Sequence, residues 1–143
     1  KLGLGKLTYL GIALKQLFAS KAVSCQIRLD GGEPISIRKS LFVAFMNHMY
    51  EGGGFKFAPR ADYRDGLLDL CVGGDLSKAL ILAALPTAFM GKHYMFRGIT
   101  AYRAQKVEIQ TSAPLWVHTD GEVARRSDRL VVTCQRHALQ MYI

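Results

Sequence analysis

Five of the eleven acidic residues fall in two short segments, Asp62, Asp65 and Asp69 in the first, Asp120 and Glu122 in the second, in a chain whose formal net charge is +8. The first segment reads Gly52-Gly53-Gly54-Phe55-Lys56-Phe57-Ala58-Pro59-Arg60-Ala61-Asp62-Tyr63-Arg64-Asp65-Gly66-Leu67-Leu68-Asp69. Its glycines permit close backbone approach, Pro59 stiffens the entry, and Asp65-Gly66 makes a tight turn ahead of a strand. A carboxylate in such a turn, with backbone carbonyls aimed at the same point, can hold a hard cation such as Mg²⁺ through oxygen ligands. An Asp-Gly turn that only starts a strand satisfies the same residues. The second segment, Trp116-Val117-His118-Thr119-Asp120-Gly121-Glu122, is a strand ending in an acidic turn. Extended backbone puts Asp120 and Glu122 on one side, where one carboxylate can take a proton while the other orients it. An exposed hairpin turn is the alternative.

Other reactive residue types carry less. Cys25, Cys71 and Cys134 are an odd number and sit in apolar runs, as buried reduced thiols would. His48, His93, His118 and His137 form no His/Cys cluster with metal-ligand spacing, so no zinc site is expected. Gly73-Gly74-Asp75-Leu76 only superficially resembles a phosphate loop and reads as a strand exit followed by a helix cap.

The elements that must position the two acidic segments are mostly strands. Val23, Cys25, Ile27 and Leu29 alternate with polar residues, Gly31-Gly32 offers a hairpin turn, and Ile35 and Ile37 resume the alternation. Further strands are expected over 41–46, 67–72, 106–110, 115–118, 129–134 and 138–143. Val23, Ile27, Phe42, Val43, Leu68, Leu70, Val107, Ile109, Val117, Val131 and Tyr142 are expected in the core. Leucines at three- and four-residue steps predict an amphipathic helix over about residues 6–19, and an Ala/Leu run predicts another over 77–85, capped by Asp75 or Ser77 and stopped by Pro86. Residues 86–98 are the least regular. Phe89, Met90, Tyr94, Met95 and Phe96 there can line an acyl-chain entrance or simply pack within the domain. Many short strands without β-α alternation predict a mainly β fold, a β-sandwich with one or two accessory helices.

With 143 residues, half of them apolar, one hydrophobic core is expected. The longest apolar run, 79–90, is broken by Pro86 and is too short to span a bilayer. The basic balance favours anionic partners, whether phosphates, nucleic acid or a membrane face. The opening Lys1-Leu2-Gly3-Leu4-Gly5-Lys6 lacks Met and a small-residue cleavage site, as expected of a cut within a longer chain.

The first acidic segment, the downstream Thr119-Asp120-Gly121-Glu122 and the intervening Gly91-Lys92-His93 together resemble the second domain of the bacterial diacylglycerol kinase and sphingosine kinase family. The resemblance covers nearly the whole chain. It implies residues 1–143 as the carboxy-terminal, lipid-substrate side of a two-domain lipid kinase. The amino-terminal ATP-binding domain, with its Gly-Gly-Asp-Gly-Thr loop, is absent from this chain, so the chain alone is expected to be inactive. It further implies Mg²⁺ held by the Asp65 side chain and the Asp62 and Leu67 carbonyls, Glu122 as proton acceptor, Asp120 as its orienting partner, and ATP as co-substrate. Expected partners are a lipid such as diacylglycerol or a sphingoid base, the amino-terminal domain and a transient anionic membrane surface. An oligomer is compatible, nucleic acid is not expected, and the location is cytoplasmic and peripheral to the membrane. The alternative from another class is a basic, non-catalytic module for anionic membrane or nucleic acid. It accounts for the charge but not for the acidic clusters.

Overall fold

A computed structural model describes residues 19, 21–51, 54–119, 122–136 and 138. Six strands form one antiparallel sheet: β1 Val23–Leu29, β2 Ile35–Met46, β3 Leu68–Gly74, β4 Ile99–Ala104, β5 Lys106–Thr119 and β6 Glu122–Thr133. Their spatial order is β4-β3-β2-β1-β5-β6. The expected mainly β, sandwich-like fold is what forms. Apart from Ala19 and Ala138, the expected helix over 6–19 and strand over 138–143, with Tyr142, lie outside the described residues.

Curling of the sheet follows from one short connection. β4 and β5 are four places apart in the sheet, about 19 Å if it were flat. Only Gln105 separates them in sequence, and two residue steps span about 7 Å at most. The sheet therefore wraps until β4 comes round to the start of β5, and its inner face encloses the core. Cys25, Ile27, Leu68, Leu70, Val72, Ala104 and Val107 fill that core, with Val43, Ile109 and Val132 packed against it. Asp30 latches the closure, its carboxylate accepting from the Lys106 N–H at 2.8 Å while its own N–H donates to the Lys106 carbonyl.

β3 is buried along its whole length because its outer face is covered as well. Cys71 and Ile99 on that face meet Leu76, Ile81 and Ala84 from the helix side. The helix, α1, runs Lys78–Ala88, with Ser77 as N-cap accepting from the Leu80 N–H. Gly73 has a specific reason to lack a side chain, since a Cβ there would lie 2.3 Å from the Phe42 ring.

The structure corrects several sequence expectations. The two segments expected at 35–37 and 41–46 are one strand, β2, and those at 106–110 and 115–118 are one strand, β5. Pro86 does not stop α1 at Leu85; the helix continues to Ala88, its last turn supported by the Thr87 hydroxyl donating to the Ala84 carbonyl at 2.7 Å. The first hairpin turns at Asp30-Gly31 rather than Gly31-Gly32. Both residues have positive φ, 48° and 75°, and the Gly32 N–H closes on the Leu29 carbonyl. Val131 is 60% exposed, because Leu130 and Val132 take the inward positions on edge strand β6 and the two-residue period turns Val131 outward. β4 was not expected from sequence at all.

Candidate functional site

The Asp62–Asp69 segment folds around its own carboxylates. Asp62 Oδ1 accepts from the Arg64 N–H at 2.9 Å, and Asp65 Oδ1 accepts from the Leu67 N–H at 2.8 Å, so each aspartate closes a turn on the residue two positions on. The Asp62 carbonyl accepts from the Asp65 N–H at 3.2 Å, which brings Asp62, Asp65 and Leu67 together around one turn. Gly66 completes it with φ of 74°.

Two arginines hold this turn from elsewhere in the chain. Arg103 on β4 stands opposite Asp69 on β3 in the ladder. Its Nε lies 3.2 Å from Asp69 Oδ1, and its Nη2 is ion-paired with Asp65 Oδ2. Arg136, just past β6, donates through Nη2 and Nε to the Asp65 carbonyl at 2.8 and 3.2 Å and lies across Gly66. Burial pushes the Asp69 carboxyl above its ordinary 3.8, opposed by the Arg103 charge and hydrogen bond and assisted by the negative charge of Asp65. Neither arginine is marked by a local motif. The Asp69–Arg103 pairing needs the β3-β4 register, and Arg136 acts across 71 positions.

Oxygen is the donor Mg²⁺ takes, but the turn's oxygens are already engaged: the Asp62 carbonyl accepts from the Asp65 N–H, and the Asp65 carboxylate accepts from the Leu67 N–H and from Arg103. The Asp65 side chain is 26% exposed, so solvent reaches it, but Arg103 already neutralises one of its oxygens. A metal there would share that oxygen with the guanidinium or displace it. Among the described residues no group of three or more His, Cys, Asp or Glu side chains could hold a metal.

The second acidic segment lies at the other end of the β5-β6 hairpin. β1 pairs with β5 only between Val107 and Thr111, so Leu115–Thr119 and Glu122–Ser127 pair with each other alone and form a two-stranded arm. Glu122 opens β6 opposite Thr119 and is exposed. Asp120 and Gly121 lie outside the described residues. Apolar side chains of the arm are also exposed, Trp116 at 62% beneath the Arg126 guanidinium and Val123 at 57%. Arg136 reaches Asp65 from just beyond the end of β6, whereas Glu122 begins that strand. The two acidic segments are therefore separate sites.

Gly91-Lys92-His93 is split between inside and outside. His93 is 2% exposed and packs against the rings of Phe57 and Tyr94, with neither ring nitrogen hydrogen-bonded among the described residues. Burial lowers its pKa below 6.5, although the nearby Phe57 carbonyl opposes this. That carbonyl accepts from the Tyr94 hydroxyl at 2.6 Å. Together with Phe42, Phe57, Ile81, Ala84 and Ile99, His93 borders a cavity of about 40 Å³. Pockets for lipid-sized ligands run to about 300 Å³ or more, so these inward residues act as packing in this conformation. The Cys25 and Cys71 thiols are both pushed up to about 11 by burial and are unreactive at neutral pH.

Comparison with known proteins places the whole chain. "Diacylglycerol kinase" of Mycobacterium tuberculosis, in two strains (CDC 1551 / Oshkosh and ATCC 25618 / H37Rv), is 31% identical over 120 residues, covering 84% of this chain and 38% of the relative. The chain thus spans less than half the length of these relatives. A crystal structure of a diacylglycerol kinase from Bacillus anthracis str. Sterne superposes with a TM-score of 0.63 at 21% identity, covering 89% of this chain and 45% of that one, a likeness of fold. Residues 1–143 match the family described as the YegS C-terminal NAD kinase beta sandwich-like domain, and the chain belongs to that family.

Proposed function

We propose that the intact protein containing this chain is an ATP-dependent lipid kinase that phosphorylates the hydroxyl of diacylglycerol or a related lipid. The observation carrying this reading is Glu122, an exposed carboxylate at the tip of an arm that projects beyond the sheet, in a chain whose relatives are named diacylglycerol kinase. The arm's exposed Trp116 and Val123 suit contact with a second domain, the amino-terminal ATP-binding domain. In the cleft so formed, Glu122 takes the proton of the acceptor hydroxyl as its oxygen attacks the γ-phosphorus. The bond from that phosphorus to the β–γ bridging oxygen breaks, and ADP leaves. Asp120 orients Glu122.

The Asp65 turn serves the arrangement rather than the proton transfer. Asp65, with the Asp62 and Leu67 carbonyls, would hold Mg²⁺, which when bound supplies positive charge that fixes the turn. Arg103 and Arg136 shape the same turn from within the chain. Protein purified from the complete gene, given labelled ATP and a panel of lipid alcohols, tests the function. Transfer to diacylglycerol ahead of sphingoid bases is expected, whereas absence of transfer to every acceptor, with binding that weakens steeply in salt and ignores Mg²⁺, would establish the basic binding module instead.

A further inference from the structure

Five of the eight large exposed apolar side chains outside the arm among the described residues, Met49, Tyr50, Phe89, Met90 and Met95, lie on three chain segments that meet, while Tyr63, Leu80 and Val131 lie elsewhere. The Lys56 N–H donates to the Ala88 carbonyl at 2.9 Å, and the Ala58 N–H donates to the Met49 carbonyl at 3.2 Å. The Phe55 and Phe89 rings stack at 4.2 Å, and Gly91 sits so close that a Cβ there would lie 2.7 Å from Pro59 and 3.3 Å from Lys56. Residues 49–50, 55–59 and 88–95 therefore adjoin, with Met49, Tyr50, Phe89, Met90 and Met95 as their large exposed apolar members.

This patch is unusually apolar for a surface. Tyr50 is 47% exposed, Phe89 42%, Met90 62% and Met95 74%. Isolated exposed apolar residues need no explanation, but four on adjoining segments mark an interaction face. The charges beside them are two basic and one acidic: Lys56 lies 5.9 Å from the Tyr50 ring and Lys92 stands exposed between Met90 and Met95, while Glu51 is exposed next to Tyr50. Lysine stems lie along apolar surface while their ammonium groups reach outward. Flexible methionines and aromatic rings ringed by cationic heads match the interfacial layer of a bilayer, with acyl boundary below and anionic headgroups above. No helix among the described residues is long and apolar enough to cross a membrane.

We propose that Tyr50, Phe89, Met90 and Met95, flanked by Lys56 and Lys92, form the face by which this domain docks on an anionic lipid bilayer. The proposal rests on the lipid-kinase reading for why a bilayer is the occupant, since a diacylglycerol acceptor resides there. It also divides the 86–98 stretch by role: His93 and Tyr94 fasten the loop inward, so that Met90 and Met95 are presented outward.

Co-sedimentation of the intact protein with sucrose-loaded vesicles tests it, using phosphatidylcholine vesicles with and without phosphatidylglycerol. Wild type should bind only the phosphatidylglycerol-containing vesicles at moderate salt. The double variant Met90→Ser/Met95→Ser should lose at least about tenfold in partitioning. Lys56→Gln/Lys92→Gln should lose about fivefold for each lysine. Both pairs are surface changes, and a thermal melt matching wild type confirms that folding is retained. Wild-type binding by both variants overturns the proposal, as does failure of wild type to bind, or loss of binding only on Arg125→Gln/Arg126→Gln in the arm. Phosphate transfer by wild type to short-chain diacylglycerol in detergent micelles reports separately on the kinase reading. Vesicle binding through the named residues without such transfer sinks the kinase and supports the docking face; transfer with binding elsewhere does the reverse.

Discussion

At the Asp65 turn the carboxylates of Asp62, Asp65 and Asp69 all accept hydrogen bonds from within the chain, two closing their own turns and two meeting Arg103. At the tip of the β5-β6 arm, by contrast, Glu122 is exposed and has no ion pair among the described residues. One acidic segment is thus finished by this domain and the other is held out from it. A carboxylate already neutralised by a guanidinium is a poor proton acceptor but a good fixed point. An exposed one at the end of an arm has its environment still to be supplied by whatever closes over it.

Substitutions in the two regions should differ in their effects on stability. Arg103→Ala should have the largest, because it leaves Asp69, whose side chain is only 10% exposed, beside Asp65 without a cation. A loss of about 1–3 kcal/mol is expected in urea unfolding, less than for a fully buried pair because Arg103 itself is partly solvated. Since Asp69 titrates above its ordinary value, its ionised form opposes folding. Stability from this group is therefore greatest at low pH and declines as pH rises from about 3.8 through the raised value. Asp69→Asn in the Arg103→Ala background should recover part of the loss at neutral pH; no recovery would mean that Arg103 acts through packing instead.

Gly66→Ala should cost about 1 kcal/mol from its positive φ, with a further disturbance because the new methyl meets Arg136. A melt no different from wild type would show that Arg136 does not constrain the turn. His93 supplies a pH dependence of opposite sign. Its folded pKa is lowered, so the stability that comes from keeping it neutral is complete above 6.5 and is lost as pH falls below that value. His93→Phe should flatten the melting temperature over the acidic side of 6.5, and an unchanged slope would assign the dependence to another group. Smallest of all should be Glu122→Gln, within about 0.5 kcal/mol, as befits an exposed side chain.

Much of the fold was legible because a strand half-buried against one core writes its face into the sequence every second residue, as in Val23-Ser24-Cys25-Gln26-Ile27. Where three apolar residues adjoin, as at Leu130-Val131-Val132, the alternation has no unique phase, and only the sheet decides that Val131 faces out. β4 escaped notice because Ile99-Thr100-Ala101-Tyr102-Arg103-Ala104 is a short edge strand with small residues and a cation, paired only to β3. Missing β4 also hid Arg103, the residue that ties Asp65 to Asp69. The acidic segments themselves were legible from composition, since carboxylate clusters stand out in a basic chain. Their separation was not, because it depends on how far β5 and β6 run beyond β1.

The division of labour between the two regions is tested most directly by steady-state phosphate transfer from ATP to diacylglycerol, comparing the intact wild-type protein with Glu122→Gln. The amide keeps the shape of the side chain but can neither accept the proton nor carry the charge. Turnover should fall about a hundred- to ten-thousandfold, with nucleotide affinity and melting temperature nearly unchanged. Near-normal turnover in the variant would contradict the assignment of proton transfer to the arm.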